Sequence, residues 1–343
     1  DKGNPSFTKS FLENHPHKIP KAIVEARSYN KARGTFTNMI NKFHHKGRIH
    51  ANINQLRSDS GGTVTGRFSY NNPNLQQIPA RDSADAELKI GTLIRSLFLP
   101  EEGEKWGSFD YSQQEPRLVV HYANKVGLEG SKKLLDAYRD NKNTDFHTIM
   151  AEIANIPRKS AKTINLGLFY GMGVGKLSDQ LGIDPDEAKS LINQYNERVP
   201  FVRQLADKVS DHAQRKGRVR TILGRQCRFD LWEPKSFGAH KAYPHEKAVE
   251  EYGSNIGLKR AGTYKALNRL IQGSAADQIK KAMVELYKEG VIPMIQIHDE
   301  LAISIDDSEQ QKEKIVDIME NCLEMEIPSK VDLAVADNWG KTQ

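Results

Sequence analysis

The sequence predicts an α+β fold, within the broader α/β class, in which an antiparallel sheet is assembled from distant parts of the chain around an inserted helical region. Two observations carry this. Short β-rich runs lie far apart, near residues 106–110, 294–305 and 331–336. Long stretches of helical periodicity separate them, an order that suits a sheet with helices segregated around it.

In chain order, residues 1–48 read as helices with loops, because PKAIVEARSYNKARGTF carries Ile23, Ala26, Tyr29 and Arg33 at helical spacing. From Gly61 to Ile78 the text is rich in Gly, Thr, Ser, Asn and Pro and reads as a long loop. KWGSFD then reads as a strand over Trp106–Asp110, with a helical pattern after it. Residues 158–260 look mostly helical. Within them Asp184-Pro185-Asp186-Glu187 is a helix start, followed by Ala188, Leu191, Ile192 and Tyr195 on one face. A long helix is expected from about Asn268 to Lys288, burying Ile271, Ala275, Ile279, Met283 and Leu286. The runs PMIQI and LAISI flank an acidic turn and form a hairpin, and an amphipathic helix over Glu309–Leu323 leads into a last strand, VDLAVA.

Composition bounds the function. With 38% hydrophobic and 27% charged residues over 343 positions, the chain is a globular protein of two or three domains and not a disordered one. Two cysteines, Cys227 and Cys322, make no disulfide framework and lack metal-site spacing, which favours a reducing compartment over secretion. No apolar run reaches the roughly 18 residues of a membrane span. The chain begins at Asp1 without a methionine or a signal-peptide pattern, so we expect it to be part of something longer. Residues 1–50 hold ten Lys/Arg against three Asp/Glu, a balance of +7, while the whole chain carries +6. Such a basic arm suits a polyanion partner, most often nucleic acid, and suits a solvated surface equally well on charge alone.

Three groups of residues could carry chemistry. Asp110 ends a strand on the face of Trp106 and Ser108, and Asp299 and Glu300 sit at the hairpin turn. Carboxylates from two strand ends could bind hard divalent cations, and two such ions about 3.5–4 Å apart can clamp the attacking and leaving oxygens of a phosphoryl transfer. A lone strand-end Asp is more often a turn-former or cap, and spacing does not bring Asp110 and Asp299 together. In RKSAKTINLGLFYGMG, Arg158, Lys162, Leu166 and Tyr170 recur every four residues, drifting only about 40° per step along one helical stripe. Cations for a triphosphate followed by an aromatic ring for a base would make that stripe a ligand face; a mixed surface helix is the plainer alternative. His147, upstream in TDFHTIM, reads by default as a structural histidine.

Taken together, GNPS, TGRFSYNNPNLQQIP, DYSQQEPR, R-x3-K-x7-YG, LNRLIQGSAAD, QIHDEL and the terminal NW occur in order across nearly the whole chain. In this the sequence resembles the polymerase region of family A DNA polymerases, the bacterial DNA polymerase I group with its phage and organellar relatives. The resemblance implies the right-hand fold: a palm with an antiparallel sheet, inserted helical fingers and the base of a thumb. It divides the chain into a thumb base with the basic arm (1–48), a first palm segment (49–128), fingers (129–252) and a second palm segment (253–343).

It also implies roles. Asp110 and Asp299 would bind two Mg²⁺ ions, for which Mn²⁺ can substitute, with the Tyr111 carbonyl as a further ligand and Glu300 as an auxiliary. Arg158, Lys162 and His147 would hold the incoming triphosphate, Lys162 also protonating the pyrophosphate, with Gln113, Leu166 and Tyr170 around the nucleotide. Glu115 would fill the space of a ribose 2′-hydroxyl and so select dNTPs. Arg67, Asn268, Gln272 and His298 would contact the primer end, Asn74 and Gln76 the template and primer, and Arg27 and Lys31 the duplex backbone. The expected partners are primer-template DNA and dNTPs, with any exonuclease domain or processivity factor outside this chain. The expected form is a monomer without membrane attachment, in a bacterial or phage-infected cytoplasm, with an organellar source kept open. Leu166, Tyr264 and Pro116 depart from the family's pattern, and the first puts sensing of the sugar 3′ position in doubt. Two other readings remain: a single-subunit RNA polymerase, which would carry a small residue in place of Glu115, and a non-catalytic DNA-binding module, against which the intact Asp110, Lys162 and Asp299 argue.

Overall fold

The computed structural model describes residues 7–59, 61–79, 89–170, 172–236 and 238–342, and the side chains of Lys9, Ser10 and Tyr170 are outside that description. The GNPS run therefore lies outside the described residues, as do the Tyr170 ring and Gly171.

The N-terminal part contains α1 (Lys9–Asn14), α2 (Lys18–Lys31) and α3 (Asn38–Phe43), with π-helical turns over Ala32–Thr37. No residue of α2 is buried. Two small hairpins follow, β1 (His44–His45) with β2 (Arg48–Ile49), and β3 (Asn52–Asn54) with β4 (Ser69–Asn71). The loop expected over Gly61–Ile78 thus contains a strand; SYN is too short to show alternation, and only its distant partner makes it β.

After α4 (Ile90–Arg95) comes β5 (Lys105–Tyr111), then the helices α5 (Gln114–Lys125), α6 (Ser131–Asp140), α7 (Phe146–Ala154), α8 (Arg158–Tyr170), α9 (Val174–Leu181), α10 (Pro185–Arg198) and α11 (Pro200–Lys216). The expected start of α10 is present: Asp184 caps it, accepting from the Asp186 N–H at 2.8 Å, and Pro185 opens the helix. Residues 218–260 are less helical than expected. They hold the hairpin β6 (Arg218–Arg220) and β7 (Gln226–Arg228), and a three-stranded sheet of β8 (Leu231–Pro234), β9 (Tyr243–Pro244) and β10 (Leu258–Arg260), with α12 (His245–Tyr252) between β9 and β10. Strands of two to four residues leave no period to detect. The chain closes with α13 (Ala266–Lys288), β11 (Ile295–Ile297), β12 (Glu300–Ile305), α14 (Glu309–Asn321) and β13 (Val331–Ala336).

The central sheet has the order β11-β12-β5-β13, antiparallel throughout, so segments far apart in sequence become neighbours. Both faces are covered. On one, Trp106, Ala302, Ile295 and Ile297 pack against Phe36, Tyr70, Leu75 and Trp339. On the other, Phe109, Tyr111, Leu301 and Ile303 meet α13 through Ile279 and Leu286, and α14 through Ile315 and Met319. Helix α13 joins this core to the helical one, to which it gives Leu267, Ile271 and Ala275. Hence 13 of its 23 residues are buried, on all sides, as a helix enclosed by protein requires. Met283, expected inside, is only partly buried.

Trp339 locks the outer face of the sheet, stacked on Trp106 at 5.8 Å, met edge-on by Phe98 at 5.5 Å and covered by the Arg95 guanidinium at 4.1 Å. Truncating a fully buried indole loses its transfer free energy and leaves a cavity. Trp339→Ala should therefore cost about 3–5 kcal/mol, read as a fall in the urea midpoint at unchanged slope.

Candidate active site

The sheet register builds the site. Asp110 on β5 lies opposite Glu300 on β12 and opposite Asp332 on β13, so three acids form a row across the top of one face. The hairpin between β11 and β12 turns on two residues, His298 and Asp299, with His298 at φ 55°. The Tyr111 N–H donates to the Asp299 carbonyl at 3.1 Å, which fastens the turn over the end of β5. Glu300, expected at the turn, instead opens β12, because its pairing with both Ile297 and Asp110 draws it into the ladder.

The Asp110 and Asp299 side chains are within hydrogen-bonding reach of each other. Asp110 remains open to solvent but is crowded by protein, and this partial desolvation, followed by the charges of Asp299, Glu300 and Asp332, pushes its carboxyl up to about 8. Burial also raises Asp299, opposed by its own backbone N–H and the charges of His298 and Arg67. Glu300 is drawn back along the strand, where its Oε1 accepts from the Ser108 hydroxyl at 2.6 Å. Two close carboxylates that repel each other, with oxygen donors only, are the donor set a hard divalent cation stabilises. Among the described residues no group of three or more His, Cys, Asp or Glu could hold a metal. Asp110 and Asp299 thus offer two side-chain carboxylates, with the Tyr111 main-chain carbonyl next to Asp110 in the chain. The Tyr111 side chain itself is buried and donates its hydroxyl to the Met319 carbonyl at 2.5 Å.

On α8, Lys162 is exposed and has no ion-pair partner among the described residues. Arg158 is held by Asp145 at 2.8 Å and by the Thr148 hydroxyl at 3.1 Å. Burial raises Asp145, but Arg158 and the N–H and hydroxyl of Thr148 outweigh it and leave the carboxyl at about 2. Leu166 packs against the helical core. His147 is buried, 7% exposed, and burial first, then the charges of Lys162 and Arg158, push it down to about 4. The Asn165 carbonyl accepts from Tyr195, so its amide donates to His147 Nδ1 at 3.1 Å; the ring is neutral with its proton on Nε2.

Glu115 and Arg67 meet in an ion pair at 2.5 Å. The Gln113 amide donates to the Thr144 carbonyl and accepts from the Phe146 N–H and the Tyr138 hydroxyl, tying α7 and α6 to the end of the sheet. Asn74 caps a short 3₁₀ turn by accepting from the Gln76 N–H at 3.1 Å, and Gln76 reaches the Phe68 carbonyl. Asn268 and Gln272 lie half-buried on α13, and His298 is exposed at the turn. Arg67, Gln76 and His298 line one small cavity. On α2, Arg27 and Lys31 are both exposed, and Arg27 donates to the Phe7 carbonyl at 2.9 Å.

Sequence reasoning missed Asp332, Asp145 and Asn165. The first could have been noticed as the one acid inside VDLAVA; the other two become functional neighbours only through helix packing.

The model of DNA polymerase family A matches residues 1–341. The chain belongs to that family. Among its relatives, a DNA-directed DNA polymerase of Pseudomonas phage M6 is 36% identical over 98% of this chain and 54% of its own length. DNA polymerase DpoZ of Acinetobacter phage SH-Ab 15497 is 30% identical over 99% of this chain and 55% of its own, and the thermostable DNA polymerase I of Thermus filiformis is 31% identical over 94% and 36%. The chain thus spans about half the length of the phage relatives. In structure it is similar to the POL domain of Pol1 from M. smegmatis in complex with DNA primer-template and dNTP, with a TM-score of 0.77, 28% identity and 99% of this chain covered against 56% of that one. The family A right-hand architecture expected from the motifs is borne out by this likeness and by the antiparallel sheet. Among the described residues no helix is long and apolar enough to cross a membrane.

The raised Asp110 carboxyl makes a stability prediction. A carboxyl whose folded value lies above its unfolded one costs the native state more as pH rises through the unfolded value, and the cost is complete above about 8. Without divalent cations, Asp110→Asn should therefore gain stability over the wild type between pH 4 and 8 and then level off. Because Asp110 is open to solvent, screening limits the gain to about 1–2 kcal/mol, measurable as melting temperature against pH in EDTA.

Proposed function

We propose that this chain is the polymerising part of its protein, adding dNTPs to a primer 3′ end as the template directs and releasing pyrophosphate. The observation that carries this is the meeting of Asp110 and Asp299 at the end of the central sheet, in a chain whose α8 bears an exposed Lys162 and an exchangeable Arg158. Residues 1–48 would be the thumb base, 49–128 and 253–343 the palm, and 129–252 the fingers.

Two Mg²⁺ ions, or Mn²⁺ in their place, would be held by Asp110, Asp299 and the Tyr111 carbonyl and would supply charge neutralisation at the attacking and leaving oxygens. The protein's own groups do the rest. Lys162 meets the triphosphate and gives a proton to the departing pyrophosphate. Arg158 exchanges the Asp145 carboxylate for phosphate, a trade between two anions in which the planar guanidinium keeps its bidentate geometry. His147, neutral and donating from Nε2, offers a hydrogen bond to phosphate rather than a charge. The Tyr170 ring would stack at the nascent base pair. Arg67, Asn268, Gln272 and His298 read minor-groove acceptors that every correct pair presents. Asn74 and Gln76 would position template and primer, and Arg27 and Lys31 would track the duplex backbone. Glu115 closes the space a 2′-hydroxyl needs. Gln113 would lie beside the nucleotide while its amide ties α6 and α7 to the end of the sheet.

The single-subunit RNA polymerase reading is disfavoured by Glu115, a bulky acid where a ribonucleotide enzyme would need room. Primer extension tests both points. Asp299→Ala should lower kcat by about a thousandfold or more, a barrier increase of roughly 4 kcal/mol; extension at the wild-type rate would remove Asp299 from the site. Glu115→Ala should raise kcat/KM for ribonucleotides by about 10- to 200-fold, the range for relieving a steric exclusion of this size, and unchanged selectivity would end the sugar-gate assignment.

A further inference from the structure

An ion pair outside the groups described so far, half-buried at Arg225 and buried at Asp277, touches glycines next to the primer-end residues. Arg225, in the turn between β6 and β7, donates from Nε to Asp277 Oδ1 at 3.1 Å and from Nη2 to the Gly273 carbonyl at 2.9 Å. The Asp277 side chain is only 6% exposed, and its other oxygen accepts from the Leu223 N–H at 3.3 Å. Burying such a pair is expensive and is weak evidence for stability alone. Its surroundings suggest what it is for. Gly66, at φ 82°, lies flat against the guanidinium: a Cβ there would come within 2.5 Å of Arg225 Cζ and Nη1. On the other side, a Cβ on Gly273 would come within 3.1 Å of Arg225 Nη2 and 2.6 Å of the Thr221 methyl. Each of these glycines adjoins a residue assigned to the primer end, Gly66 next to Arg67 and Gly273 next to Gln272. The guanidinium is thus a flat spacer between two backbone segments, and the side chain that follows one and the side chain that precedes the other are those placed at the primer terminus.

We propose that Arg225, fixed by Asp277, is a positioning residue that sets Arg67 and Gln272 at a common distance from the primer end and so contributes to rejection of a mispaired terminus. The proposal rests on the polymerase reading above. The planar fork is essential to it. A lysine would keep the charge opposite Asp277 and fill the site, but it lacks the flat face that Gly66 packs on and the fixed geometry that joins Asp277 to the Gly273 carbonyl. A displacement of a fraction of an ångström behind a reading side chain is enough to change reactivity strongly when the reacting groups must be aligned.

The test is a double-mutant cycle in the full-length protein, with Arg225→Lys, Arg67→Ala and the pair. The readout is the ratio of kcat/KM for extending a matched primer to that for extending a mispaired one. Arg225→Lys should lower this ratio about tenfold, Arg67→Ala should lower it comparably, and the pair should fall by clearly less than the product of the two single effects, what remains coming through Gln272. A clasp that serves the fold only would slow both primers alike, leaving the ratio unchanged, or would add its full effect to that of Arg67→Ala; either result overturns the proposal. If Arg67→Ala itself leaves the ratio unchanged, the primer-end reading falls and takes the proposal with it. If Arg67→Ala lowers the ratio and Arg225→Lys does not, the clasp alone is refuted. Should Arg225→Lys fail to fold, as melting would reveal, Asp277→Asn, which keeps the shape and an acceptor for Arg225, is read by the same criteria.

Discussion

Much of this molecule follows from holding two carboxylates against their own repulsion. Asp110 and the Asp299 turn come from segments that are distant in sequence and neighbouring in the sheet, and the acids Glu300 and Asp332 add to their repulsion. The sheet around them must therefore be rigid enough to oppose the charge. It is: both faces are buried, one under the Trp106–Trp339 stack and the other under α13 and α14. The repulsion costs stability at the sheet's end, and Ser108 limits the cost by drawing Glu300 away from the pair.

Helix α13 connects this acidic end to the rest of the protein. Its first half belongs to the helical core and its second half to the sheet's core, with the small residues of GSAAD between them. Small side chains allow close approach of neighbouring backbone, and the Thr65–Arg67 loop and the β6–β7 turn both use it. The surfaces that would face DNA are consequently built on packed elements and not on free loops, as precise positioning of reading groups requires.

The helical region shows a different balance. There Arg158 rests on Asp145, as Arg67 in the loop before β4 rests on Glu115, whereas Lys162 has no ion-pair partner among the described residues. These pairs satisfy the charges of both guanidinium groups, and any anion or acceptor that took either cation would have to displace its carboxylate. His147 is governed by burial, which keeps it neutral and turns a candidate cation into a hydrogen-bond donor.

The sequence by itself determined the strands at 106–110, 294–305 and 331–336, the capped start at Asp184, the long helix to Lys288 and the chemical identity of the acids and cations. Periodicity, caps and turn residues are local, and a strong local pattern survives folding. It did not determine the short strands of residues 44–71 and 218–260, which exist only because partners lie across from them, nor that Gln113 ties helices together, nor that Glu300 leaves the turn. Above all it held no distance between Asp110 and Asp299, and no hint that Asp332 would stand beside them or that Arg225 would lie between Gly66 and Gly273. Those were decided by β-sheet register and helix packing, because a contact between residues hundreds of positions apart is a property of how buried surfaces fit and is written into no single stretch of chain.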